Sequence, residues 1–400
     1  MALSRPARPV SRPALTLLLA FAMGVASVVT FIIGALAPFM VAELGLSRTS
    51  LGLLATGMIG VAAVLSPLAG YLVDRLGGRP MLLLIFAATA AGLLGMAAAG
   101  SYGWLIAGAA VAGIGSAMGN PATNQLISRY VPRGSQGSVI GVKQSGVQGA
   151  TFLAGLLLPS MGAALGWRRA MAVSALPVLL GLGGTLLIVP AAPPVPGAER
   201  RERGAGHTAL VARLTVYGCL MGIGVSALGS YAVLYGVEVL GLSASAGGLA
   251  IALLGLAGVV SRIVWARRIE RGAPASVSLV LMAAGGAVSV ALIWLAQDAG
   301  SWLLWAGALG FGATATAWNA VGNLVLVRAL PAAVAGRMAG ILQGGFYAGF
   351  AAGPAGFGLL VDATGSYGAG WSMVIVALVT AGGLLAAWAG AERRGTRRSA

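Results

Sequence analysis

The sequence predicts an all-α membrane protein with twelve transmembrane helices. Of its 400 residues, 58% are hydrophobic and 8% are charged, whereas a soluble domain carries about 25% charged residues. Twelve spans of about 20 residues need about 240 residues, which leaves room for short connections but not for a separate globular domain. The apolar runs are also too long and continuous for barrel strands, which alternate over about ten residues.

Each run can pair its backbone groups internally as a helix, whereas an open strand edge in hydrocarbon would leave such groups unpaired. Six runs precede a polar segment and six follow it. In chain order they cover 14–40, 50–73, 80–100, 103–128, 136–162, 170–190, 209–237, 245–266, 274–296, 301–327, 336–361 and 369–390.

The basic residues indicate the orientation of these helices. Of the 25 Lys and Arg residues, 21 fall on one side, and only Arg48, Arg168 and Arg169 lie on the other. The positive-inside rule then places both termini in the cytoplasm of a multi-pass protein of the plasma membrane, here a bacterial inner membrane. The basic excess is a topology signal, so we expect no nucleic-acid partner.

A segment rich in Pro, Gly and charge, AAPPVPGAERRERGAGHT, divides the chain into two halves. Its composition is typical of a flexible linker. The predicted domains are a cytoplasmic tail (1–13), a six-helix bundle (14–190), a cytoplasmic linker (191–208), a second six-helix bundle (209–390) and a basic cytoplasmic tail (391–400).

The two halves are internal repeats. ELGLS at 43–47 returns as VLGLS at 239–243, an offset of 196 residues, and further along the offset becomes 199. At the second offset a small-residue series recurs, which predicts a helix face that allows close approach of another helix. The series Gly137, Gly141, Ser145 and Gly149 maps onto Gly336, Gly340, Gly344 and Ala348. Because each half has six spans and begins on the same side, the repeats are parallel.

The loop after the second span carries the segment GYLVDRLGGRP, with a degraded second copy, ARRIERGAP, in the other half. This loop resembles that of the major facilitator superfamily of secondary transporters, and the resemblance extends over essentially the whole chain. It implies two pseudo-symmetric six-helix bundles around a central cavity that alternates its access. The matching residues are Gly70, Asp74, Arg75, Gly77 and Arg79, with Glu270 and Arg271 in the second copy.

We assign this loop to gating. Asp74 can accept hydrogen bonds from helix N-termini, and Arg75 and Arg79 can reach carboxylates or helix-end carbonyls. Gly70 and Gly77 permit close backbone approach. The resemblance implies that these contacts hold the halves in one access state and break in the other.

Polar side chains inside a membrane are costly and therefore mark candidate sites. Spans 4 and 5 turn near Pro132, so Asn120 and Gln144 lie twelve residues from the turn, at most about 18 Å, near the centre of the bilayer. The repeat predicts matching depths in the second half. The candidate substrate-binding residues are Asn120, Asn124, Lys143, Gln144, Gln148, Trp318, Asn319, Asn323, Gln343 and Tyr347. Interhelical hydrogen bonding is the alternative role for the amides.

Lys143 is the only lysine, and the only basic residue that we place well inside a span. It lies nearly opposite the small-residue face. Two interpretations remain open: a cationic anchor for an anionic substrate, or an ammonium that extends along its helix to the cytoplasmic surface.

The sequence excludes several other functions. We find no metal-ligand cluster, no cofactor motif, no Walker-type phosphate loop and no convergent nucleophile and base, so we predict neither an enzyme nor an ATP-driven pump. The single cysteine, Cys219, permits no internal disulfide.

The absence of a mid-membrane acid weakens exchange of a proton for a cationic drug. We predict a monomeric secondary transporter of a small, anionic organic solute, with a proton or another ion as coupling partner. The alternative is a proton-coupled multidrug or metabolite efflux antiporter.

Overall fold

The structure is a computed structural model that describes residues 10–191, 208–329 and 332–398. Residues 1–9 of the predicted N-terminal tail, 192–207 of the predicted linker and 399–400 of the C-terminal tail lie outside the described residues. Every regular element within the described ranges is helical, as the apolar runs predict.

The first half contains six long helices. They are α1 (Arg12–Leu44), α2 (Arg48–Leu76), α3 (Gly78–Ala97), α4 (Tyr102–Tyr130), α5 (Gln136–Leu165) and α6 (Trp167–Ile188). The second half contains α7 (Thr208–Glu238), α8 (Ala244–Glu270), α9 (Ala275–Ala299), α10 (Trp302–Ala313), α11 (Trp318–Ala329), α12 (Ala332–Thr364) and α13 (Tyr367–Arg398).

Eleven helices of the described chain are long and apolar enough to cross a membrane. The predicted tenth span is not among them because it is divided into α10 and α11, joined by a 3₁₀ turn at Ala315–Ala317. The prediction of one continuous helix at 301–327 was therefore wrong in this detail.

Side chains of α8 explain the break without a proline. In a continuous helix the carbonyls of Gly312 and Ala313 would accept from backbone N–H groups four residues later. Here Ser261 Oγ donates to the Gly312 carbonyl (2.9 Å), and Trp265 Nε1 donates to the Ala313 carbonyl (2.9 Å). These donors satisfy the carbonyls that a helix end leaves open.

The chain groups into two compact units. The first consists of Met1–Val29, Val61–Ala150 and Arg168–Ala198, and the second of Thr30–Gly60, Thr151–Trp167 and Glu199–Ala400. In the first unit α3 packs along α4. In the second unit α7 packs along α12, and α9 packs on α10 and α13.

Among the close helix crossings, one in the first unit has a counterpart in the second unit at the repeat offset. Glycine has no Cβ atom, so the distance from a hypothetical Cβ to its surroundings shows how closely two helices approach. In the first unit, a Cβ added to Gly146 of α5 would lie 2.6 Å from the carbonyl carbon of Ala20 in α1. In the second unit, a Cβ on Gly345 of α12 would lie 3.1 Å from the carbonyl carbon of Thr215 in α7. Because Gly146 and Gly345 are 199 residues apart, the offset found in sequence is preserved as geometry.

The ELGLS and VLGLS segments share two structural features. Gly45 and Gly241 have φ of 61° and 64°, a left-handed geometry that favours glycine. Ser47 Oγ then accepts from the N–H of Ser50 (3.1 Å), and Ser243 Oγ accepts from that of Ala246 (3.2 Å), so each serine caps the next helix.

The predicted small-residue face was wrong. A Cβ on Gly137, Gly141, Gly149, Gly340 or Gly344 would meet nothing within 4 Å, so none of these glycines lies at a close helix contact. The contact face of α5 instead carries Gly146, which is one position beyond Ser145 and therefore about 100° around the helix.

Candidate functional site

Lys143 extends from α5 toward α4 and is completely buried, with 0% of its surface exposed. Its ammonium donates to three neutral oxygens: Asn124 Oδ1 at 2.7 Å, Thr123 Oγ1 at 3.1 Å and Asn120 Oδ1 at 3.3 Å. In this conformation the side chain does not extend to the surface.

The spacing of the acceptors follows from helix geometry. Asn120, Thr123 and Asn124 are separated by three and four residues, so they project from one face of α4. Thr123 Oγ1 also donates to the carbonyl of Gly119 (2.6 Å), which orients its lone pairs toward the lysine. We name Lys143, Asn120, Thr123 and Asn124 the lysine cluster.

The cation of the lysine cluster is buried. In the described part of the chain no carboxylate lies at ion-pair distance from it, and the salt bridge found there joins Arg48 and Glu238 instead. Uncompensated charge is expensive inside a membrane. Three hydrogen bonds to neutral oxygens offset part of this cost, but they do not supply a negative charge.

The lysine also determines which way the amides face. An ammonium can only donate, so Asn120 and Asn124 must turn their oxygens toward it. Gln144 Nε2 donates to the same Asn120 oxygen at 3.3 Å. The amide N–H₂ groups of Asn120 and Asn124 are therefore directed away from Lys143, and the side of the cluster at Asn124 is exposed.

This arrangement is chemically suited to an anion. N–H groups next to a positive charge form strong hydrogen bonds with carboxylate or phosphate oxygens. Among the described residues no group of three or more His, Cys, Asp or Glu side chains could hold a metal ion.

Gln148 lies one helical turn beyond Gln144 on α5. Its side chain is 6% exposed, and its Oε1 atom has no hydrogen-bond partner among the described residues. A buried carbonyl oxygen without a donor is costly, so Gln148 remains a candidate to accept from a solute hydroxyl or amine.

The candidates in the second half form a different environment. Trp318 is buried at 2% exposure and contacts the rings of Tyr217 (5.9 Å) and Phe346 (5.4 Å). Asn323 Nδ2 donates to the carbonyl of Asn319 in its own helix at 2.8 Å.

The side chains of Asn319, Asn323 and Gln343 are half-buried and share no hydrogen bond in the described structure. Tyr347 is also half-buried, with its ring 6.0 Å from that of Phe346.

The difference between the amide residues of the first half and those of the second half has a simple cause. At the offset of 199, Lys143 corresponds to Leu342 and Thr123 to Gly322. Leu342 is buried at 1% exposure, so the second half carries no cation at the position equivalent to Lys143 around which its amides could gather. The repeat therefore preserves the backbone frame, whereas the lysine cluster belongs to the first half.

Sequence reasoning missed Thr123. A threonine inside an apolar helix commonly bonds to a carbonyl of its own preceding turn, so the residue type alone did not distinguish Thr123 from other threonines. Its position three residues after Asn120 and one before Asn124 was the available signal.

The loop assigned to gating forms one of the expected contacts and lacks another in this conformation. Arg79 Nη2 lies 3.4 Å from the carbonyl of Leu186 at the end of α6, as expected for a helix-end carbonyl. Arg75 lies over the ring of Tyr71, 4.6 Å from its centroid. Asp74 is exposed and accepts no hydrogen bond within the described residues, contrary to the expected helix capping.

The two glycines of this loop do not lie at close backbone contacts in this conformation. A Cβ on Gly70 or Gly77 would meet nothing within 4 Å. Gly77 is explained by its φ of 85°, which allows the sharp turn into α3. In the second copy, Glu270 and Arg271 are exposed at the end of α8.

Comparisons with known proteins agree with this architecture. The structure is similar to that of a D-xylose-proton symporter, with a TM-score of 0.75 and 17% identity over 92% of this chain and 96% of that chain. It is similar to a POT family transporter in complex with thioalcohol conjugated peptide, with a TM-score of 0.79 and 12% identity over 96% of both chains.

A mutant of the nucleoside transporter NupG gives a TM-score of 0.74 and 12% identity over 93% of this chain and 99% of that chain. These likenesses concern the fold. No curated protein sequence matches the chain. The model of the Major Facilitator Superfamily matches residues 19–326, and the chain therefore belongs to this family of membrane transporters.

Proposed function

We propose that this protein moves a small anionic organic solute across a bacterial inner membrane by alternating access. The lysine cluster anchors the negative group of the solute. The observation that carries the proposal is the buried Lys143 ammonium, which is surrounded by neutral oxygens and has no carboxylate at ion-pair distance in the described chain.

The anion completes the electrostatics of the site. It supplies the negative charge that the described surroundings of Lys143 lack, and it accepts from the outward-facing N–H₂ groups of Asn120 and Asn124. Gln144 braces Asn120 through its oxygen. A cationic solute gains nothing here, because it would add a second positive charge near the first.

Transport is driven by a gradient of the solute or of a coupling ion, and both termini lie in the cytoplasm. The neighbouring structures support secondary transport as a class. In this proposal Asn319, Asn323, Gln343, Trp318 and Tyr347 contact the body of the solute in another part of the cycle, and Gln148 accepts a hydrogen bond from it.

The experiment is a thermal-shift screen of the purified protein with matched solutes. Each carboxylate or phosphate is paired with its neutral amide and with an amine of similar size. We expect only anions to stabilise the protein, because only they can pair with the Lys143 ammonium. A ligand that binds only the folded state and is present at one hundred times its Kd stabilises the protein by about 2.7 kcal/mol.

The matched variants are Lys143→Gln and Arg169→Gln, which remove one positive charge each. Arg169 is exposed, so its replacement controls for net charge. Lys143→Gln should abolish the shift given by the anion, whereas Arg169→Gln should leave it unchanged. Stabilisation by amines, or an undiminished anion shift in Lys143→Gln, would contradict the proposal and favour cation or drug efflux.

Flux in proteoliposomes then identifies the coupling ion. The stabilising anion is supplied with and without an imposed pH gradient. Uptake that depends on the gradient indicates proton coupling, and uptake that follows the solute gradient alone indicates facilitated transport.

A further inference from the structure

A network of charged and phenolic groups lies where α1 ends and α2 begins, on the face predicted to be external. Arg48 Nη2 and Glu238 Oε2 are 2.7 Å apart, and their side chains are 32% and 22% exposed. The Tyr367 hydroxyl donates to the same Glu238 oxygen at 2.6 Å. All of these residues belong to the second compact unit.

The start of α2 also forms hydrogen bonds through its backbone N–H groups. The carboxylate of Asp362 accepts from the N–H of Arg48 at 3.1 Å and from that of Thr49 at 2.8 Å. These are N–H groups that a helix start leaves without partners, and the helix dipole favours a negative charge there. We name Arg48, Glu238, Tyr367 and Asp362 the Arg48 latch.

Below the latch, α2 and α12 are in close contact. Thr56 Oγ1 donates to the carbonyl of Ala351 at 2.5 Å, and a Cβ on Gly52 would lie 2.6 Å from the carbonyl carbon of Pro354. Segment 30–60 of the first half is therefore closely packed on α7 and α12 of the second half.

The latch is not needed to start the helix. Ser47 already caps α2, and its repeat partner Ser243 caps α8 in the same way. At the repeat offsets, Arg48 corresponds to Ala244 and Asp362 to Ala163, neither of which carries a charge. The additional contacts therefore join the two halves rather than build a helix.

We infer that the Arg48 latch holds this face of the transporter closed and must open once in every transport cycle. The charged groups of Arg48, Glu238 and Asp362 are at least partly exposed, so water replaces their lost partners when the face opens. This makes the contacts weak enough to break reversibly. The inference uses the alternating access of the family and does not depend on the identity of the solute.

The test measures how fast a cysteine introduced at a buried position behind the latch is labelled. Ser230 of α7 is 0% exposed, and its Cα would lie 3.0 Å from a Cβ on Gly34 of α1. Ser230→Cys is placed in a Cys219→Ser background, and the full chain is purified in detergent without solute. A charged methanethiosulfonate reagent then reports how often the α1–α7 contact opens.

We expect Arg48→Gln and Glu238→Gln to accelerate the labelling of Ser230→Cys about fivefold, since losing an exposed ion pair shifts the closed–open equilibrium by roughly this factor. Arg169→Gln, which removes an exposed charge from the same predicted side, should leave the rate unchanged. Unchanged rates in both latch variants, or an equal acceleration by Arg169→Gln, would overturn the inference.

If Arg48→Gln does not fold, Tyr367→Phe serves instead, because it removes only the hydroxyl that binds Glu238. We expect about a twofold acceleration, and an unchanged rate in this variant would count against the latch. Because no solute is present, failure here differs from failure of the anion anchor, which the solute screen reports.

Discussion

At the scale of single residues, Lys143 shows how much depends on the neighbouring helix. The sequence alone left two directions for its side chain, along α5 to the surface or inward. The inward direction depends on the face that α4 presents, because Asn120, Thr123 and Asn124 supply the oxygens that the ammonium requires. Sequence spacing gave two of these three residues, whereas the rotation of α4 against α5 is a property of packing.

Asn124→Asp tests the anchor without removing the lysine. The new carboxylate would lie where the amide oxygen now accepts from Lys143 at 2.7 Å, so it would neutralise the ammonium from within. We expect anion affinity to fall at least about tenfold, because the binding charge is already satisfied. The stability of the solute-free protein should not fall.

Titration of the stabilising anion by thermal shift measures this affinity. Ser128→Asp is the control, because Ser128 is exposed one turn further along α4 and the variant adds the same charge. If Asn124→Asp binds the anion as tightly as the unmodified protein does, the lysine cluster is not the anchor.

At the scale of helices, the repeat predicted the correspondence between halves but not the contact face. Gly137, Gly141 and Gly149 form a regular small stripe, yet Gly146 at the adjacent angle meets α1. A stripe of small residues shows that a helix could approach, and only the neighbour's position shows whether one does. The break between α10 and α11 escaped prediction for the same reason, since its partners are Ser261 and Trp265 of another helix.

Alanine substitutions separate the contact face from the open stripe. Gly146→Ala and Gly345→Ala force a methyl group against the backbone of a neighbouring helix, so each should lower stability by about 1–3 kcal/mol. Gly149→Ala and Gly344→Ala place the same methyl in open space.

Thermal unfolding in detergent distinguishes the two pairs. The controls should match the original protein or exceed it slightly, because alanine is favoured over glycine inside a helix. Equal losses for all four variants would show that the crossings described here do not determine the packing.

At the scale of the whole molecule, hydropathy and the internal repeat predicted the helical fold, and the loop motif at 70–79 together with this layout indicated the family. Hydropathy and the repeat are distributed over the entire chain, so an error in one helix could not change the predicted fold. The Arg48 latch could not be predicted in this way. Arg48 pairs with residues 190 and 314 positions away, and neither separation matches a repeat offset.

Uptake through a reversibly locked protein tests alternating access most directly. The hydroxyl oxygens of Ser160 in α5 and Ser245 in α8 are 3.0 Å apart on the face that carries the latch. Ser160→Cys with Ser245→Cys, in a Cys219→Ser background, can therefore be joined by oxidation in proteoliposomes loaded for uptake of the stabilising anion.

The oxidised protein should show no uptake, and reduction should restore it, while Ser160→Cys alone should transport before and after oxidation. Undiminished uptake by the fully cross-linked protein would mean that this face need not open, and alternating access between the two halves would be contradicted.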